Sequence, residues 1–247
     1  MTSWIEEDLI FLSGPTVEGL RFAKLFLGDE TLAQELVERA LLRLTIVRDG
    51  KRSRAKFFGD LENLCLEEKN KKSSFKEKQL ELFTIEPSGQ VRNENKKDMR
   101  VARAQALLCG EDKAIVERLQ KKPIFANECF RELVIGFSIR LSEEALSDEN
   151  NIPISLGIER YKTIANYLLG LLADNEAMEV ERKCRFHPDW QKEKILMGEA
   201  VGWMESALQV FDVSFDPRGI ILNDDVKKRV LEEWKLSDHE EVLIEGT

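Results

Sequence analysis

Histidine is scarce in this chain: only His187 and His239 occur among 247 residues. Acid–base catalysis would therefore fall to carboxylates. The many glutamates sit mostly in runs of alternating sign, the pattern of a solvated helix face. GxGxxG, GxxxxGKS/T, GxSxG and HExxH are all missing, so the common nucleotide-binding, hydrolase and metalloprotease signatures are excluded. The chain is expected to be no enzyme and to carry no cofactor. No CxxC pair occurs, and the four cysteines, Cys65, Cys109, Cys129 and Cys184, are widely spaced. Free thiols buried as small hydrophobes in a reducing compartment fit that usage. Cys184 and His187 have a spacing that suits a metal. A structural zinc needs about four ligands, however, so no metal site is assigned. No uncharged apolar run reaches about 18 residues, which excludes a membrane-spanning helix. The start, MTSWIEEDLI, is acidic where a signal peptide needs basic residues. A cytoplasmic protein is the expectation.

What is present is apolar material in helical period. At 43% hydrophobic and 34% charged, the chain can build cores and stay solvated. Its net charge of −9 opposes indiscriminate nucleic-acid binding. Two local basic patches remain: Lys51, Arg52, Arg54 and Lys56, and then Lys69, Lys71 and Lys72. Residues 18–27 read as a short apolar helix. Asp29 or Thr31 can cap the next one, and with Thr31 as cap Gln34 completes a capping box. Apolar residues then recur at Ala33, Leu36, Val37, Ala40, Leu41 and Leu44. After the turn at Asp49-Gly50, Ser53 can cap a third helix whose apolar face is Phe57, Phe58, Leu61, Leu64 and Cys65. A polar stretch with no apolar period, TIEPSGQVRNENKKD, reads as a linker. Helical patterns follow over 99–119, 125–139, 158–172 and 190–211. In the mixed tail, GIIL and EVLIE read as two short strands.

The second helix poses the functional question. Its outward face carries Glu35, Glu38, Arg39, Leu42 and Arg43, with 35, 38 and 42 on one stripe. One reading is a solvated face with a stray leucine, since single exposed apolar residues are normal. The other is a partner surface, an apolar anchor among fixed charges.

LGDETLAQELVERALLRL, followed by SRAKFFGDLENLCLEEKNKK, resembles the second conserved region of bacterial sigma factors of the extracytoplasmic-function (ECF) type. Gly28-Asp29, Ala33, Glu35, Leu36, Val37, Leu42 and Arg43 match that family's pattern in register, as do Ala55, Phe57, Phe58, Asn63, Leu64 and Lys71. The resemblance implies that the first helix binds the coiled coil of the core RNA polymerase β′ clamp, through Glu35, Leu36, Glu38, Leu42 and Arg43. It implies that the next helix and the loop before it grip and melt the −10 element of promoter DNA, through Lys51, Arg52, Arg54, Lys56 and Asn63. Phe57 and Phe58 could support unstacked bases or simply pack a core.

Departures fall within the match. Gln34 stands for a usual acid and Arg39 where an acid is common. Lys56 replaces a usual Trp, Asp60 an apolar residue and Glu62 a usual Arg. The last two put negative charge on a helix expected to face DNA, which costs backbone affinity. The family's second, helix-turn-helix domain has its candidate over 131–164, where Leu141-Ser142, Leu146 and Ile152-Pro153 meet the family spacing. Ser147 and Asn150-Asn151 depart from it. There the resemblance places Ser155, Arg160, Lys162 and Thr163 toward a major groove.

The expectation is an all-α chain with two helical domains, the sigma region 2-like one over 1–76 and the region 4-like helix-turn-helix one over 101–175. A linker spans 77–100, and a mostly helical C-terminal extension covers 176–247. The implied partners are core polymerase, promoter DNA and an anti-sigma or other regulatory protein. A sigma mimic or adaptor that binds polymerase or an anti-sigma protein without reading DNA is the alternative.

Overall fold

A computed structural model of the chain describes residues 2–44, 53–80, 88–121, 127–146, 157–214 and 220–244. The fold is all-α: eleven helices and, among the described residues, no strand. None of these helices is long and apolar enough to cross a membrane. The helices fall into two compact units, Met1–Gly110 with Asp216–Thr247, and Glu111–Phe215.

The first unit begins with α1 (Thr2–Ser13), α2 (Pro15–Leu27), α3 (Glu30–Leu42), α4 (Arg54–Leu80) and α5 (Ser88–Leu108). Pro15 opens α2, where its missing N–H costs nothing. Gly28 closes it in the left-handed region at φ 70°, its N–H bonded to the Lys24 carbonyl at 2.8 Å. The next residue starts α3: the Asp29 carboxylate accepts the Leu32 N–H at 3.1 Å. Of the two possible caps Asp29 is therefore the one used, and Gln34 is left for another task. Ala33, Leu36, Val37, Ala40 and Leu41 bury the inward face of α3 as their period requires. Ser53 caps α4, its hydroxyl accepting the Lys56 N–H at 3.1 Å.

Phe57 and Phe58 of α4 are fully buried, with rings 5.1 Å apart. Phe57 also meets Phe11 edge-on at 5.7 Å. Gly19 makes the approach of α2 to α4 possible: a Cβ there would stand 2.6 Å from the Phe57 ring.

The expected linker is corrected. From Ser88 onward it is α5, packed on α2 and α4. Among its described residues only Asn95 and Met99 are buried within the expected linker, too few to register as an apolar period; Ala102, Arg103, Ala104, Ala106 and Leu108 are buried beyond it. Asn95 donates to the Asn70 side chain at 3.0 Å. Arg103 is 1% exposed, pairs with Glu62 of α4 and lies 4.0 Å from the centre of the Phe58 ring. Arg100 reaches the same Glu62 oxygen at 3.1 Å. Glu62 is thus no exposed charge on a DNA-facing surface; it neutralises two arginines inside the unit.

The second unit holds α6 (Lys113–Lys121), α7 (Asn127–Leu146), α8 (Ile158–Leu168), α9 (Asp174–Phe186) and α10 (Pro188–Val210). The single helix read over 99–119 is two, broken at Gly110, and Asp112 caps the second through the Ala114 N–H at 2.7 Å. The long α10 packs against α6, α7, α8 and α9. Val134, Phe137 and Leu141 of α7, Ile164 of α8, and Met197, Ala200 and Met204 of α10 form its core. Leu141 and Ser142 lie inside α7, which runs on to Leu146. The rest of the expected helix-turn-helix match, with Ser147, Asn150-Asn151 and Ile152-Pro153, lies outside the described residues.

After α10 the chain returns to the first unit as α11 (Asp224–Ile244). The two expected strands are corrected. Residues 220–222 have no regular structure, and the Glu241–Ile244 stretch belongs to α11. Val226, Val230 and Trp234 are spaced by four and all buried, a helical period that outweighs two short apolar runs.

Candidate functional site

The outward part of α3 is bounded by α11. Gln34 clasps the stretch before α11 with both ends of its amide: Nε2 donates to the Ile221 carbonyl at 2.8 Å, and Oε1 accepts the Asn223 N–H at 3.2 Å. Glu38 takes two hydrogen bonds from Arg229, at 2.8 and 2.9 Å. Trp234 donates its indole N–H to the Leu41 carbonyl at 3.0 Å. These contacts advance together along both chains, so α3 and α11 run parallel. Ile220, Leu222, Val226, Val230 and Trp234 are buried. Each such side chain is worth roughly 1.5–3 kcal/mol. The C-terminal helix is therefore a permanent wall of the unit.

The five residues assigned to polymerase binding separate on this geometry. Glu35, Leu42 and Arg43 are exposed. Leu42 is 45% exposed, whereas its apolar neighbours on α3 are wholly buried or nearly so. Glu38 is half-buried beneath Arg229. Leu36 is 1% exposed and belongs to the core, a correction that its place in the apolar period already implies. What remains open is Glu35, Arg39, Leu42 and Arg43, an apolar side chain among charges of both signs.

Among the described residues, those assigned to DNA are partly taken up by internal pairing. Lys51, Arg52 and Ser155 lie outside the described residues. Arg54 pairs with Glu18 of α2 at 2.7 Å and stacks over Phe58 at 4.8 Å. Lys56 and Asn63 are exposed, seven residues and two turns apart on one face of α4. Phe57 and Phe58 are core side chains and present no ring to a base. In the second unit Arg160 turns inward to Glu193 of α10 at 2.5 Å. Burial pushes the Glu193 carboxyl up, against the pull of Arg160. Lys162 is exposed and pairs with Glu159 at 3.0 Å, while the Thr163 hydroxyl donates to the Glu159 carbonyl at 2.8 Å. From the second basic patch, Lys69 donates to the Phe26 carbonyl at 3.2 Å and Lys71 pairs with Glu68 at 3.1 Å.

Other sites offer less. Burial pushes the Cys65 thiol up to about 12, with the Glu62 charge a second cause, and burial takes Cys109 to about 11. Cys184 is buried, with its sulfur 3.8 Å from the Trp190 carbonyl, and His187 is exposed at the joint of α9 and α10. Among the described residues no group of three or more His, Cys, Asp or Glu could hold a metal. A cavity of about 390 Å³ in the second unit is lined by Leu119, Gln120, Phe130, Glu205, Leu208 and Gln209. Among the described lining residues Glu205 is the single ionisable group.

Sequence reasoning missed the contribution of α11: Arg229, Trp234 and the exposed Leu236. The spacing of Val226, Val230 and Trp234 was the signal available. No family model, no curated protein and no solved structure matches the chain.

Proposed function

We propose that this chain is a sigma-like protein that binds core RNA polymerase through α3 and acts in transcription initiation. One observation carries the reading. Leu42 stands exposed between Glu35, Arg39 and Arg43 on a helix whose other large apolar residues are buried or, for Leu32, half-buried. Such an anchor, ringed by charges that tolerate water, is how interface hot spots are built. The resemblance over residues 25–72 supplies the partner. The work done is binding, with no covalent step. An anti-sigma or other regulatory protein competing for the same stripe is the form of control that fits it.

The test is Leu42→Asp. Because the side chain is exposed, the variant keeps its helical circular dichroism and its melting temperature. Its pull-down of purified core polymerase is lost. Retained pull-down removes α3 from the interface.

A second reading is favoured by specific contacts. Arg54 and Arg160, both assigned to DNA, are held by Glu18 and Glu193. An adaptor that engages polymerase or an anti-sigma protein without reading promoters fits these pairings. A fluorescence assay for promoter opening with core polymerase separates the two: opening at any promoter eliminates the pure adaptor.

A further inference from the structure

The contacts between α3 and α11 align two stripes. On α3, Glu35, Glu38 and Leu42 are three and four residues apart. On α11, Asp225, Arg229, Glu232 and Leu236 are four, three and four apart. Each set lies along one face of its helix. Arg229 bonds Glu38, so the two stripes flank the same seam. Trp234 bonds the Leu41 carbonyl, which sets Leu42 and Leu236 at the same end of that seam. Both leucines are exposed, at 45% and 62%.

We infer that α11 supplies the second half of the partner-binding surface: Leu42 and Leu236 form a two-helix apolar anchor site at the end of the α3–α11 seam. This deepens the reading of α3 as the polymerase-binding helix and rests on it. A helix can lay a ridge of side chains between two parallel helices. The occupant is therefore a helical segment of core polymerase with an apolar ridge.

Charge sets the chemistry beside that ridge. Glu38 is neutralised by Arg229, whereas Glu35, Asp225 and Glu232 are exposed with no ion pair among the described residues. Both rims of the seam are acidic, so the partner helix carries basic residues next to its ridge. Arg39 and Arg43 lie on the far flank of Leu42, away from α11. The seam is fixed, because the wall that forms it is buried through Val226, Val230 and Trp234.

The experiment titrates purified core polymerase with the fluorescently labelled full-length chain and its variants. Leu42→Asp and Leu236→Asp each weaken binding by about tenfold or more. Glu232→Lys, a surface charge reversal that leaves the apolar surface alone, weakens it about threefold at low salt and less at high salt. Ile195→Asp, an exposed apolar position of α10, leaves affinity unchanged. If Leu42→Asp loses binding while Leu236→Asp and Glu232→Lys bind as wild type, α11 has no part in the site and only the α3 reading stands. If Leu42→Asp binds as wild type, or the wild-type chain does not bind, that reading falls and this inference with it. Should Leu236→Asp lower the melting temperature, Glu232→Lys decides.

Discussion

Replacing Glu62 by alanine tests whether a buried ion pair holds α5 to α4. Arg103 is 1% exposed, and its charge is matched by Glu62 at one end and by the Phe58 ring, 4.0 Å away, at the other. Arg100 also uses Glu62, but its side chain is 29% exposed and can rehydrate. The cost therefore falls on Arg103. Breaking a buried ion pair by removing one partner costs about 3–5 kcal/mol. Urea unfolding followed by far-UV circular dichroism would show the loss as a lower midpoint. A local readout comes from Cys65, which is buried one helical turn after Glu62. At about 3 kcal/mol lost, labelling of this thiol through opening of the unit accelerates roughly hundredfold. Replacing the pair together, Glu62→Leu with Arg103→Met, should be close to neutral, because two desolvated charges disappear at once. A Glu62→Ala variant within about 1 kcal/mol of wild type, with Cys65 labelling unchanged, would refute the reasoning.

Two further outcomes are expected. Gln34→Glu removes the amide donor that meets the Ile221 carbonyl in the clasp, at a cost of about 1 kcal/mol; hydrogen exchange at the Asn223 amide should speed up, and unchanged protection would sink the clasp. Iodoacetamide at pH 8 should give a single native-state adduct at the exposed Cys129, because Cys65 at about 12 and Cys109 at about 11 stay protonated, and Cys184 is buried and raised by that burial. Mass spectrometry of a native adduct at Cys65 would contradict this.

The helices that could be read directly were those with dense apolar faces. The set Ala33, Leu36, Val37, Ala40 and Leu41 fixes both the extent of α3 and its inward side, because five small or branched apolar residues at this spacing leave no other face to bury. Phe57, Phe58, Leu61, Leu64 and Cys65 do the same for α4. The first half of α5, which reads as linker, escaped for the opposite reason, whereas its second half falls within the helix read over 99–119. The docking of α5 depends on alanines and on Arg103, whose long side chain looks like a solvent charge until Glu62 is placed opposite it. α11 carries one apolar residue per turn among charges, too sparse to outweigh the apolar runs near it. Leu36 was misassigned because the resemblance named it, although its own spacing turned it inward. Arg54 and Arg160 counted as open charges because their partners, Glu18 and Glu193, are 36 and 33 residues away.

Two departures from the sigma-like pattern have a common physical origin. Glutamine stands at 34 where an acid is usual, and the amide is what the site needs: one atom must donate to the Ile221 carbonyl while the other accepts from Asn223. A carboxylate could only accept, and it would face a carbonyl oxygen. Glutamate stands at 62 where arginine is usual, and there a third positive charge beside Arg100 and Arg103 could not be buried. Each departure lies where a helix outside the resemblance, α11 or α5, docks on the matched segment. The altered charges are therefore explained by packing within the first unit. They supply no independent sign that DNA contact has been lost; what bears on that point is the pairing of Arg54, Arg160 and Lys162, cations assigned to DNA whose partners lie within their own units.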